Sequence, residues 1–139
     1  DIINELINNS RQTVGKLGRK LGTPPTTIHN RIKKLECEGV ILNYVANIDY
    51  SKIGLPIMAF IGVEITYSVE GKKIRQVDVA KKIKALTGVQ EVAILAGGTD
   101  ILVKVITSSI NELNELVTEK LRNIDGVDKT QTMITLKQV

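Results

Sequence analysis

Six side chains in the stretch TPPTTIHNRIKKLE, residues 23–36, combine the chemistry needed to read and grip a duplex: Thr26, Thr27, Asn30, Arg31, Lys33 and Lys34. An Asn amide pairs with adenine, an Arg guanidinium with guanine, and a Thr methyl packs on the methyl of thymine. Lysines meet phosphates and set register. The spacing places them together. At about 100° per residue, Ile28, Ile32 and Leu35 share one helix face. Thr26, Thr27, Asn30, Lys33 and Lys34 occupy the opposite face, with Arg31 at its edge. That face carries no acid and no apolar residue.

The charge around this stretch is one-sided. Between Leu6 and Leu35 lie seven bases (Arg11, Lys16, Arg19, Lys20, Arg31, Lys33, Lys34) and no acid. The remaining twelve bases share residues 36–139 with thirteen acids. A local basic surface is the electrostatic footprint of nucleic-acid binding. His29 stands at the side of the helix, where a packing or phosphate-contact role fits it better than catalysis.

Helices must position that face. Ile3, Leu6 and Ile7 repeat with helical spacing, as do Val14, Leu17 and Leu21. Thr13 is the expected N-cap of the second helix and Gly22 its end. Gly15 and Gly18 inside it cost roughly 1 kcal/mol each against Ala, with close packing as their only evident reason. Pro24 and Pro25 start the third helix, where the first N–H groups have no intrahelical acceptor to lose. Thr23 is an expected cap for Thr26 if Pro24 is the first helical residue; otherwise the helix starts at Pro25. Three helices with a short turn before the third make a helix-turn-helix. After Gly39 the pattern turns β-branched. VILNYVANID, 40–49, predicts a strand or small hairpin running into a linker that ends near Pro56.

From Ile57 onward the chain predicts strand, helix, strand, strand, helix, strand, the ferredoxin-like βαββαβ plan. IMAFIGVEIT is the first strand, with Ile57, Ala59, Ile61 and Val63 on one face and Met58 and Phe60 on the other. Helices cover only one face of such a sheet, and a bare face should be polar. Burial of the second face against another copy is therefore expected, with the chain's own N-terminal half as the competing cover. Residues 75–87 form a helix through Val79, Ile83 and Leu86. VQEVAILA and DILVKVIT are strands separated by Gly97-Gly98-Thr99. A helix capped by Ser108 or Ser109 points Leu113, Leu116, Val117 and Leu121 inward, and VDKTQTMITLKQV is the last strand. The fold class is α+β. The expected division is a DNA-binding helix-turn-helix domain at 1–43, a linker with a short β strand at 44–56, and a βαββαβ domain at 57–139.

Composition excludes several functions. Of 139 residues 42% are hydrophobic but only 3% aromatic, with no Trp, so the core is aliphatic and a base-stacking platform is not expected. One cysteine, Cys37, permits no intrachain disulfide and no cysteine-based metal site. One histidine permits no multi-His site. No catalytic residue, metal or cofactor is expected. With no membrane-length apolar run and no signal peptide, a soluble cytoplasmic protein is the expectation. The chain opens at Asp1 already in a helical pattern, so a few leading residues are expected before it.

Nearly the whole chain resembles the Lrp/AsnC, or feast/famine, transcription regulators of prokaryotes. DIINELINNSRQTVGKLGRKLG is similar to that family's first two helices. TPPTTIHNRIKKLECEGVILNYVANIDYSKIG is similar to its recognition helix and linker. VQEVAILAGGTDILVKV and GVDKTQTMITL are similar to its effector domain. The resemblance implies a winged-helix-like domain that binds double-stranded operator DNA. It also implies a βαββαβ domain that forms a homodimer, assembles further, often to octamers, and binds a small effector, commonly an amino acid, at a junction between dimers. Carried over, the effector loop is Gly97, Gly98, Thr99 and Asp100, and the family's T-x-T is Thr130 and Thr132. Glycines let backbone N–H groups approach a carboxylate, Asp100 suits an α-ammonium, and the Thr hydroxyls complete the hydrogen bonding. The same four loop residues also make an ordinary hairpin turn. The recognition helix departs from the family in carrying Ile28-His29-Asn30 where more Arg is usual. Two alternatives remain: a siroheme decarboxylase built on the same architecture, and an architectural DNA binder that answers to no effector.

Overall fold

The computed structural model describes residues 1–139, which form two compact units, Asp1–Asn47 and Ile48–Val139. In the first unit α1 spans Ile2–Asn8, α2 Val14–Leu21 and α3 Pro25–Cys37. Thr13 caps α2 by accepting a hydrogen bond from the Lys16 N–H, and Gly22 closes it in the left-handed region at φ 61°. α3 starts at Pro25, the start compatible with the residue before a proline being held out of α geometry. Thr23 does not cap it; its hydroxyl donates to the Leu21 carbonyl at 3.2 Å. The core is small: Ile2, Leu17 and Ile28 are buried, with Leu6, Val14, Leu21, Ile32 and Leu35 packed around them.

Gly18 has a clear reason. A Cβ there would lie 2.5 Å from the carbonyl oxygen of Thr23, so the turn into α3 folds directly onto α2. Gly15 has open space around it, and nothing in the structure explains it.

The strand expected within 40–49, and hence within the 44–56 linker, is not formed in this chain. A strand needs a neighbour for its N–H and C=O groups, and this segment has none here. It is instead held to the end of α3: the Val40 and Ile41 N–H groups reach the Leu35 carbonyl, and the Tyr44 hydroxyl donates to Glu36 at 2.7 Å. One 3₁₀ turn, Tyr50–Ile53, precedes the sheet.

The second unit follows the predicted plan with one addition. β1 is Ile57–Ile65, β2 Ser68–Val69, β3 Lys72–Lys73, α4 Gln76–Lys84, β4 Val89–Ile94, β5 Ile101–Thr107, α5 Ile110–Glu115 and β6 Val127–Ile134. The main sheet is antiparallel in the order β4-β5-β1-β6. β2 and β3 form a separate small hairpin that the sequence pattern did not predict. α5 continues as a wide π turn through Leu121, which brings Leu116, Val117 and Leu121 onto the core beside Leu113. Ala59, Ile61, Val63, Ile101, Val103 and Val105 face Val79, Ile83 and these leucines. On the other face Met58, Phe60 and Leu102 are only half-covered within the chain.

Candidate nucleic-acid interface and effector loop

α3 presents the predicted face. Ile28 is wholly buried, whereas Thr26, Asn30, Arg31, Lys33 and Lys34 are exposed. Thr27 is half-buried on the flank of the helix. Among the cations of this face, only Lys34 has an ion-pair partner, Glu38 at 3.8 Å, and both side chains are largely exposed. The others are free to meet an external anion. His29 and Cys37 are also exposed. α1 and α2 brace the helix from behind. Lys20 on α2 meets Glu5 on α1 at 2.7 Å, and the Gln12 amide donates to the same carboxylate and to the Glu5 carbonyl. These contacts hold the Glu5 carboxyl below its ordinary range, with the Lys20 hydrogen bond the main cause.

The loop from Gly97 to Asp100 joins β4 to β5 at one end of the sheet. Gly97 adopts φ 141°, a conformation open to glycine. Thr99 lies over Gly62: a Cβ on Gly62 would meet the Thr99 methyl at 3.3 Å. Asp100 is tied by five hydrogen bonds, one of them from the Leu95 N–H to its carbonyl at 2.8 Å. Its N–H donates to the Val63 carbonyl at 3.0 Å, and its own carbonyl accepts from the Gln76 amide at 2.9 Å. Its carboxylate accepts from the Ile65 N–H at 2.9 Å and from the Tyr67 hydroxyl at 2.9 Å. The bond to Asp100 raises the Tyr67 hydroxyl above its ordinary pKa. Both oxygens that the sequence offers to an α-ammonium thus already serve the protein. Tyr67 and Gln76 are the partners that sequence reasoning missed, because they come from the hairpin root and α4 and carry no motif.

Thr130 and Thr132 do not converge with this loop in one chain. They pair with Val63 and Ile61, core-facing residues of β1, and so point to the helix side of the sheet. Thr99 sits over Gly62, on the other side. Thr130 accepts instead from the Arg122 guanidinium at 3.2 Å. No three His, Cys, Asp or Glu side chains gather into a metal-sized cluster, and no helix is long and apolar enough to cross a membrane.

Comparison with known proteins agrees with this architecture along the whole chain. Residues 1–41 match the winged helix-turn-helix DNA-binding family model, and residues 58–139 match the Lrp/AsnC ligand-binding domain. A relative from Pyrococcus horikoshii, an uncharacterised HTH-type transcriptional regulator, is 40% identical over 138 residues, covering 99% of this chain and 90% of its own. The structure of E. coli AsnC superposes with a TM-score of 0.80 at 27% identity, over 99% of this chain and 89% of that one. A Neisseria meningitidis transcriptional regulator solved as an L-Met complex gives a TM-score of 0.88 at 26% identity, over 99% and 87%. The two family models and these relatives indicate a regulator and not an enzyme, which sets aside the siroheme decarboxylase alternative. The chain belongs to the Lrp/AsnC family of DNA-binding transcription regulators.

Proposed function

We propose that α3 enters the major groove of a specific site, with Thr26, Thr27, Asn30 and Arg31 selecting bases and Lys33 and Lys34 holding phosphates. The observation that carries this is the exposed, acid-free face of α3, on which Lys34 alone has an internal partner. Residues 1–43 would act as the DNA-binding domain, 44–56 as the linker and 57–139 as the assembly and effector domain. A homodimer, and an octamer built from it, would present paired α3 helices to half-sites one helical turn or a multiple apart.

The loop Gly97–Asp100 is the proposed place for an amino-acid effector. The Neisseria regulator solved with L-Met supports an amino-acid effector by analogy of fold. Thr130 and Thr132 join that site only if a second copy supplies them, since within one chain they face the other side of the sheet. An effector would then act as a bridge between copies, and its binding would be linked to assembly.

The test is a gel shift on the protein's own upstream DNA at two salt concentrations, with and without a mixture of the twenty amino acids. A specific shift altered by the mixture supports both parts. A specific shift indifferent to it keeps the regulator and removes the loop assignment. Binding with little sequence preference would favour the architectural reading. Lys33→Ala with Lys34→Ala should weaken all sequences alike and reduce the salt slope by about 2; unchanged affinity would overturn the α3 assignment.

A further inference from the structure

The second unit is nearly neutral: twelve bases against eleven acids between 48 and 139, a net of +1. Its charge is nevertheless strongly segregated. Residues 70–84 hold Lys72, Lys73, Arg75, Lys81, Lys82 and Lys84 against Glu70 and Asp78, six bases less two acids, or +4. The remainder of the unit is therefore −3, and the α5 region carries Glu112, Glu115 and Glu119.

The basic residues are displayed by a defined structure. Glu70 at φ 49° and Gly71 at φ 79° form a tight two-residue turn, which presents Lys72 and Lys73 on β3. The Ile74 N–H bonds to the Tyr67 carbonyl, so the hairpin closes at the start of α4. On α4, Val79, Ala80 and Ile83 are buried, and Lys81 and Lys82 stand on the exposed side. Two of the six cations are occupied: Arg75 pairs with Asp78 at 3.7 Å, and Lys84 donates to the Gln90 carbonyl. Lys72, Lys73, Lys81 and Lys82 are exposed and enter none of the chain's ion pairs.

Lysines on a short exposed strand guard its edge against unwanted pairing. That accounts for Lys72 and Lys73 but not for Lys81 and Lys82, which sit on a helix with no edge to guard. A surface made only for solubility mixes both signs. From Arg75 to Lys82 the helix rises roughly 10 Å, a length over which a DNA duplex carries about six negative charges.

We propose that the β2–β3 hairpin and α4 form a second phosphate-contact surface, which grips duplex DNA outside the site read by α3. This rests on the DNA reading of α3. Contacts of this kind add affinity and salt dependence without sequence information. They favour long DNA over an isolated site.

The experiment compares the full chain with a variant in which Lys72, Lys73, Lys81 and Lys82 are all changed to Gln. Each is titrated with a duplex holding only the recognised site and with the same site extended on both flanks. Circular dichroism and melting establish that the variant is folded. For the unsubstituted protein, the salt slope on the extended duplex should be steeper than on the short one by up to about 3–4 per bound protomer, at roughly 0.9 per phosphate. The variant should lose that difference and bind the short duplex as before. Equal slopes on the two duplexes, or a variant that keeps the difference, would overturn the proposal. A variant with unchanged DNA binding but altered sedimentation would assign the surface to another protein copy and overturn it as well. No binding of the unsubstituted chain to either duplex would bring down the DNA reading of α3, and this surface with it.

Discussion

Gly15 and Gly18 stand one turn apart on α2 and should respond to the same substitution in opposite directions. At Gly18 a methyl group would be driven to 2.5 Å from a backbone oxygen, and backbone cannot swing aside as a flexible side chain does. Gly18→Ala should cost about 1–3 kcal/mol in urea unfolding of the first unit. Gly15→Ala meets nothing within 4 Å and should stabilise by up to about 1 kcal/mol through helix propensity alone. In the sequence both glycines look alike, because propensity is local and the obstacle is a carbonyl five residues further on. Asp100 poses the same difficulty. Its type and place beside the Gly-Gly turn suggested a ligand-binding role, while the structure uses its carboxylate to hold the Ile65 N–H and the Tyr67 hydroxyl. Asp100→Ala should therefore speed hydrogen exchange at the Ile65 amide even without effector. Tyr67→Phe should leave that amide protected. If exchange at Ile65 is unchanged in Asp100→Ala, the carboxylate does not hold the loop.

The elements were most legible where periodicity and caps agreed. α2 begins at Thr13 and ends at Gly22 as the residue types demand, and α5 begins with a reciprocal cap: the Glu112 N–H donates to the Ser109 hydroxyl, while the Glu112 carboxylate accepts from the Ser108 N–H. The segment 40–49 was misread because β-branched alternation reports a side-chain preference, whereas a strand also needs a partner backbone. The β2–β3 hairpin escaped notice because its turn is Glu-Gly, with Glu70 in the left-handed region that Asn usually takes. The α5 cap yields a prediction with a sign. The hydroxyl and N–H of Ser108 hold the Glu112 carboxyl below its ordinary 4.5. A group depressed in the folded state stabilises above its ordinary value and loses that contribution as pH falls through its folded value. Stability of the second unit should thus decline as the pH drops below 4.5. Glu112→Gln should flatten that acid limb in a pH series of thermal melts, and an equally steep limb would refute the assignment. Ser109→Ala should cost about 1 kcal/mol at all pH values, since its hydroxyl caps without titrating.

At the scale of the molecule, the unanswered surface is the sheet face opposite the helices. Met58, Phe60 and Leu102 are half-covered there, Met133 is 45% exposed, and Lys104 is answered by Glu91 at 3.4 Å. An apolar sheet face of this kind is seldom left to water, and the sequence already indicated cover through the two apolar sides of β1. What the sequence could not separate was a second copy from the chain's own N-terminal half, because residue types state that a face is buried and not what buries it. A second copy matches what the functional reading requires. The proposed reading pairs two α3 helices on two half-sites, and it would need another chain to bring Thr130 and Thr132 to the loop of Gly97–Asp100, since within one chain they lie on the other side of the sheet. Phe60→Glu places a charge in the middle of that face while leaving Ala59, Ile61 and Val63 on the core side. It should reduce the mass in analytical ultracentrifugation toward that of one chain, with the circular dichroism of the sheet retained. DNA binding should then fall on a two-half-site duplex far more than on a single half-site, since only the former draws on the dimer. A variant that stays assembled, or that weakens both duplexes equally, would show that this face does not join the copies and leave the pairing of α3 helices to some other contact.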